Sequence, residues 1–360
     1  MSLGTNIKVT VFGQSHSPAM GAVAEGLPAG GKVDTERLER FMERRAPGRN
    51  RFSTQRAEAD KVKIISGING EGVLCGAPLS VIIENTDQRS GDYKNIADVP
   101  RPGHADYAAY VKYGGNNDIR GGGQFSGRLT APLCAVGGIC IQLLEERGVY
   151  IGAHIAAVHG VKDALFDAVN PNAHLFNEIA EKDFPVIDDE RGELMKKEID
   201  KARTELNSVG GIIECEIAGM PAGLGGPLFE GIEGEMSKAL FGIPAVKGVE
   251  FGAGFSAAEM LGSENNDIFY YEGDKVKTAT NNHGGILGGI SSGMPVIFRV
   301  AVKPTPSIGK TQKSVSLSKK ENAELNITGR HDPCVVQRAV PVVEAVAAIV
   351  TLDLIMERCK

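Results

Sequence analysis

The chain has no tryptophan, and aromatic residues make up only 6% of its 360 positions. A nucleic-acid surface of stacked aromatics among basic residues therefore has little to draw on. The formal charge of −6 likewise excludes a general polyanion binder, so any basic site must be local. The six cysteines, at 75, 134, 140, 215, 334 and 359, include no C-x-x-C pair, and no His/Cys cluster has ligand spacing. The expectation is reduced thiols in a cytoplasmic protein with no metal centre. No uninterrupted apolar run is long enough to span a membrane; the best stretch, Val340–Met356, carries Glu344 and Asp353. The opening MSLGTNIKVT has no secretory h-region. Nucleotide fingerprints are missing too. Gly309-Lys310-Thr311 has Pro304 where a P-loop needs its first glycine, and G-x-G-x-x-G does not occur. There is neither a G-x-S-x-G elbow nor an H-E-x-x-H helix.

What is present is glycine, 46 residues of it, in a chain that is 42% apolar and 23% charged. That is globular composition with many tight turns, and enough length for a large core. Ile7–Phe12 alternates as a strand, and Val62–Ile65, Leu79–Ile83, Ile212–Ala218 and Val296–Val302 read the same way. Asp34 caps a predicted helix over Thr35–Arg45, with Leu38, Phe41 and Met42 on one face. After a glycine-rich loop at 114–127, Ser126 caps a broadly apolar helix that Gly148 ends. Asp188–Leu206 is predicted as an amphipathic helix with Leu194, Ile199, Ala202 and Leu206 facing inward. A final helix is predicted from Pro333 to about Arg358, bent at Pro341, with Asp332 as its N-cap. Gly26-Leu27-Pro28-Ala29-Gly30 and Gly219-Met220-Pro221-Ala222-Gly223 echo one another, each after a predicted strand and before a helix, which suggests two related halves. No linker separates them, so one domain over 1–360 is expected.

The chemistry-bearing residues fall in polar loops. Arg44, Arg45, Arg49, Arg51 and Arg56 crowd one helix end. Arg101-Pro102-Gly103-His104-Ala105-Asp106 fixes a histidine in a stiff loop, Gly121-Gly122-Gly123 leads to Arg128, and Arg330-His331-Asp332 precedes the last helix. Arginine grips carboxylate and phosphate through paired hydrogen bonds, so the set points to a small, multiply charged anion. Each feature alone also has an ordinary reading: the arginines as solvated charge at a helix end, Asp332 as a cap, the glycines as a turn.

Taken together, the segments FGQSHSPAMGAVAEGLPAG (12–30), RRAPGRNRFSTQRAEAD (44–60), ENTDQRSGDY (84–93), RPGHADYAAYVKYG (101–114), RGGGQFSGRLTA (120–131), PAVKGVEFGAGF (244–255), NNHGGILGGISSGMP (281–295), KPTPSI (303–308) and GRHDPCVVQRAVPVVEA (329–345) resemble the chorismate synthase family in order along the whole chain. The resemblance implies an α+β fold with helices sandwiched between two antiparallel sheets, assembled as a homotetramer. It implies a lyase of the shikimate pathway to aromatic amino acids. The reaction is the anti 1,4-elimination of phosphate from 5-enolpyruvylshikimate 3-phosphate, requiring reduced FMN, with NADPH serving only to reduce the flavin. A non-catalytic or altered flavin-dependent protein on the same scaffold is the alternative.

By the same resemblance, His16, His104 and Asp332 are catalytic: His104 assists the departing phosphate, His16 stands at the flavin, and Asp332 relays the ring proton through the flavin. Arg45, Arg51, Arg101, Arg128 and Arg330 would bind substrate. Gln124, Phe125, Ser126, Ala245, Gly288, Lys303, Pro304, Thr305, Pro306, Ser307 and Arg330 would bind FMN. The chain departs from the commonest family pattern at Gln14, Ser17, Gln124, Leu129 and His283.

Overall fold

In the computed structural model, residues 1–48, 60–85, 96–327 and 332–358 are described. The N-terminal strands β1 (Ser2–Leu3), β2 (Lys8–Gly13), β3 (Ala19–Glu25), β4 (Lys63–Ser66) and β5 (Leu79–Glu84) form an antiparallel sheet in the order β1-β2-β3-β5-β4. Along β2 the side chains alternate, with Val9 and Val11 buried and Lys8, Thr10 and Phe12 exposed, so one face of the sheet seeks cover. The second sheet uses β6 (Tyr150–Val158), β7 (Val161–Lys162), β8 (Gly211–Ala218) and β9 (Val246–Phe251). Two ribbons follow, β10 (Phe269–Glu272) with β11 (Lys275–Thr278) and β12 (Ile286–Leu287) with β13 (Ile290–Ser291). Strand β14 (Val296–Val302) then completes the second sheet in the order β7-β6-β8-β14-β9. A last ribbon pairs β15 (Gln312–Ser316) with β16 (Glu321–Leu325).

Eight α-helices occur among the described residues: α1 (Thr35–Arg45), α2 (Asp106–Lys112), α3 (Thr130–Glu145), α4 (Ala173–Glu181), α5 (Asp189–Thr204), α6 (Ile232–Leu240), α7 (Gly262–Asn265) and α8 (Val336–Arg358). Helices α3 and α8 pack on each other between the sheets, α3 beneath β3 and β5 and α8 beneath β6 and β8. By length and composition both could cross a membrane, yet most of each is buried inside the protein. Their contact is tight at Gly137, where a Cβ would collide with the backbone of Ala345. The charges on α8 are also committed. Glu344 takes a two-pronged bond from Arg44 of α1 at 2.6 and 2.8 Å. Asp353 accepts the backbone N–H groups of Thr5, Asn6 and Ile7 at 2.6–2.9 Å. The expected α+β sandwich is therefore the observed one. The two echoed pentapeptides follow β3 and β8, the central strands of their sheets, and precede α1 and α6.

Local sequence explains several helix starts. Asp34 caps α1 through Arg37 N–H at 2.9 Å, and Asp188 caps α5 through Glu190 and Arg191. Three expectations are corrected. On α5 the buried stripe is Met195, Ile199 and Ala202, while Leu194 and Leu206 are exposed. Ser126 caps a single 3₁₀ turn, Gly127–Leu129, before α3 begins. Helix α8 opens at Val336 rather than Pro333, so Asp332 stands ahead of its first turn, and the helix continues through Pro341.

The outer face of the second sheet is covered by α4 and the loop before it, through Phe166, Phe176 and Ile179. Beneath them lies buried charge. His154 sits between Asp163 at 3.2 Å and Glu214 at 3.1 Å. Glu216, in register with Gly152 and Ile297, has both carboxyl oxygens buried without a hydrogen-bond partner among the described residues. Burial, with Glu214 and Asp167 nearby, pushes its carboxyl up to about 8.

Candidate active site

Three consecutive glycines set the centre of the site. Gly121, Gly122 and Gly123 have φ of +59°, +85° and +54°, a run that strongly favours residues without a Cβ. Space makes the same demand. A side chain at Gly121 would strike the His16 imidazole and Ser15 Oγ, and one at Gly122 would lie 3.1 Å from His104 Nε2. Ser15 N–H donates to the Gly123 carbonyl at 3.2 Å, tying the exit of β2 to this loop. The departure Ser17 closes the same exit: its hydroxyl donates to the Gln14 carbonyl and accepts from Gln14 N–H, both at 2.9 Å. The side chain of Leu129, another departure, is buried in the core.

On the far side of the glycines, the loop ahead of α2 folds back on one carboxylate. Asp106 accepts from Arg101 Nε at 2.7 Å, from Arg101 Nη2 at 2.8 Å and from Arg101 N–H at 3.0 Å. Its Oδ1 also meets His104 Nδ1 at 2.5 Å. Burial alone would raise the Asp106 carboxyl, but the bonds from Arg101 and His104 outweigh it and hold the group well below the usual carboxylate range. Arg101 Nη1 completes the fork by donating to Ser307 Oγ at 3.2 Å.

A second carboxylate organises the next pair of arginines. Asp60, buried and in the left-handed region at φ +46°, binds Arg45 Nη1 with one oxygen and Arg128 Nη1 with the other. Arg45 Nε donates to Thr130 Oγ1 at 3.2 Å and Nη2 to the Gly127 carbonyl at 3.1 Å. Arg128 Nε donates to Asn85, whose amide donates to the Ser17 carbonyl at 2.7 Å, next to His16. Burial would raise Asp60, but the two guanidiniums lower it further. Arg338, from the first turn of α8, continues the network: Nη1 meets Asp332 at 2.7 Å and Nε donates to the Arg45 carbonyl at 3.1 Å. Arg51 and Arg330 lie outside the described residues.

The cofactor candidates are only partly gathered. Gln124, Phe125 and Ser126 continue the glycine loop. The 303–307 segment joins the histidine loop through Ser307, and Pro306 lies 3.6 Å from where a Gly103 side chain would start. Ala245, at φ +77°, accepts the backbone N–H of Lys303 at 2.9 Å. Burial and the neighbouring Lys247 both push the Lys303 ammonium down. Thr305 Oγ1 is buried without a hydrogen-bond partner among the described residues. Gly288 sits in the turn of the β12–β13 hairpin, where the next residue, Gly289, accepts the backbone N–H of Ile232. His283 serves its own turn: Nδ1 accepts from Gly285 N–H at 2.8 Å.

Asp60, Asn85 and Arg338, which lie inside the segments 44–60, 84–93 and 329–345 but were assigned no role there, hold the predicted residues together. Asp106 had a signal, since it closes the stiff loop that carries His104.

The chorismate synthase family profile matches residues 7–356. A chorismate synthase of Lancefieldella parvula is 45% identical, covering 98% of this chain and 95% of the relative. One of Korarchaeum cryptofilum is also 45% identical, over 98% and 96%, and one of Pyrococcus abyssi is 46% identical, over 99% and 97%. A crystal structure of a chorismate synthase superimposes with a TM-score of 0.77 at 27% identity, covering 99% of this chain and 93% of the other.

Proposed function

The chain belongs to the chorismate synthase family, and from that premise we propose that it converts 5-enolpyruvylshikimate 3-phosphate to chorismate and phosphate, as a carbon–oxygen lyase that requires reduced FMN. The observation that carries this reading is the meeting of His16 and His104 on adjacent glycines, beside arginines joined through Asp60. The substrate has two carboxylates and a phosphate. Arg45, Arg101, Arg128 and Arg338 stand against Asp60, Asp106 and Asp332, so guanidinium outnumbers carboxylate by four to three among these residues. That leaves net positive charge for an anion in an otherwise acidic chain.

In this reading His104 donates a proton or hydrogen bond to the oxygen of the departing phosphate. Arg45, Arg101 and Arg128, with Arg51 and Arg330, bind the substrate's anionic groups. Asp332, held by Arg338, supplies the carboxylate for the proton lost from the ring. His16 packs against the loop where the flavin would lie. Gln124, Phe125, Ser126, Ala245, Gly288, Lys303–Ser307 and Arg330 would hold FMN. The chain's features suit such a ligand: the backbone cradle of the glycines, a Lys303 ammonium repelled by Lys247, and the unpartnered Thr305 hydroxyl. Reduced FMN, when bound, supplies electron density to the ring as phosphate leaves. NADPH enters only as a source of electrons for the flavin.

A homotetramer is the assembly we infer. It is supported by apolar side chains such as Phe229, Phe255 and Tyr271, which are 93%, 84% and 77% exposed on the single chain.

The test is anaerobic turnover of 5-enolpyruvylshikimate 3-phosphate with chemically reduced FMN. Equal amounts of chorismate and phosphate are expected, without net flavin oxidation. Substrate binding with no phosphate release would overturn the assignment.

A further inference from the structure

A histidine serves as an acid only if the nitrogen facing the substrate is the one that exchanges its proton. For His104 the surroundings decide which one that is. Nδ1 lies 2.5 Å from Asp106 Oδ1, and Nε2 points at the glycine loop, 3.1 Å from where a Gly122 side chain would begin. Asp106 has little freedom to turn away. Two guanidinium nitrogens and the backbone N–H of Arg101 donate to it, and Arg101 itself is braced by Ser307. An ionised carboxylate only accepts, so the hydrogen between Oδ1 and Nδ1 belongs to the ring.

We propose that Asp106 is a positioning residue for the reaction: it keeps the proton on His104 Nδ1, so that Nε2 is the nitrogen that gives its proton at the Gly121–Gly123 loop. The proposal rests on the reading of His104 as the donor to the departing phosphate. In the step, the Nε2–H bond breaks as the carbon–oxygen bond of the phosphate ester breaks. The bonding pair goes to the ester oxygen, which takes the proton, and His104 is left neutral with Nδ1–H still on Asp106. Solvent returns the proton to Nε2 before the next turnover. Asp106 also offsets the positive charge of Arg101, whose Nη2 lies 3.1 Å from His104 Nδ1 and would otherwise oppose a charged ring.

Two readouts test this. The first is the ¹⁵N solid-state spectrum of the histidine-labelled, flavin-free wild-type protein, with His104→Gln identifying the signal. The charged ring that donates carries a proton on both nitrogens; in the neutral ring, observed at alkaline pH, a proton on Nδ1 and a bare Nε2 are expected, and the opposite neutral tautomer overturns the proposal. The second is Asp106→Asn under the turnover assay. The expected result is a fall in kcat of about 100-fold or more, with the alkaline limb of the kcat–pH profile moved to lower pH and partial recovery in Asp106→Glu. An Asp106→Asn enzyme with the wild-type kcat–pH profile overturns it as well. If Asp106→Asn does not fold, the wild-type spectrum still decides. If the wild-type enzyme releases no phosphate, the functional reading falls, and the spectrum separately settles what Asp106 does to His104.

Discussion

His16 and His104 stand against adjacent glycines of a single loop, His16 at Gly121 and His104 at Gly122. They come from different parts of the chain, one after β2 and one before α2. The loop they share therefore has room for little beyond bare backbone at these two positions. A side chain at Gly121 would strike His16, and one at Gly122 would crowd His104.

Gly121→Ala should accordingly damage the site. Its φ of +59° and the His16 contact both act against a methyl group. A stability loss of about 1–3 kcal/mol is expected, with weaker FMN binding in a fluorescence titration. Gly127→Ala, where a Cβ meets nothing within 4 Å, is the control and should change stability by less than about 0.5 kcal/mol. Equal behaviour of the two variants would show that the loop does not set the spacing.

Asp60→Asn should destabilise by about 3–5 kcal/mol, because it leaves two buried guanidiniums facing each other. The Asp60 carboxyl is lowered in the folded state, so its contribution is present above the unfolded carboxylate pKa and is lost as pH falls through the lower folded value. Urea denaturation of wild type and Asp60→Asn should therefore converge on acidification. A constant gap across the acid range would contradict the assignment.

Glu216 has the opposite sign. Its carboxyl is raised from 4.5 to about 8, so the folded state holds more protons between those values, and wild-type stability should fall as pH rises across that window. The slope attributable to one group cannot exceed about 1.4 kcal/mol per pH unit. Glu216→Gln should remove it and gain on wild type steadily toward pH 8. Parallel stability–pH curves for the two proteins would refute this.

Gly137→Val should loosen the centre of the sandwich. The substitution forces α3 and α8 apart at Ala345, where a Cβ already collides with backbone, and overpacking of this kind costs about 1–3 kcal/mol or more. Thermal denaturation reads the loss; an unchanged midpoint would mean that the helices separate freely.

Much of this architecture was legible from local pattern. Asp34 and Asp188 announce helix starts because capping is settled within three residues. The apolar breadth of α3 announces burial on several sides. The misreadings have equally local causes. Leu194 is one residue, about 100° of helix, away from the true stripe through Met195, and Leu206 lies beyond the last turn of α5 at φ +55°. Asp332-Pro333 has the form of a cap and first turn, but α8 starts at Val336 and Asp332 pairs with Arg338.

In the site, His104, Arg101 and Arg128 stood out because stiff or glycine-rich loops carry them, whereas His16 was reached only through the family resemblance. Asp60 did not stand out. Its partners Arg45 and Arg128 lie 15 and 68 residues away, and such pairing leaves no spacing to read. Nothing local distinguishes its carboxylate from a solvated one.

The grip of Asp353 on Thr5, Asn6 and Ile7 has a consequence for the order of events during synthesis. Strands β1 and β2 leave the ribosome well before α8. At about 5–20 residues per second, the N-terminal edge waits some tens of seconds for the carboxylate that fixes it. Through that interval the sandwich lacks its second central helix, and the apolar face of β6 and β8 is without the cover α8 later gives it. Emergence of α8, rather than completion of either sheet, is the event that closes the sandwich.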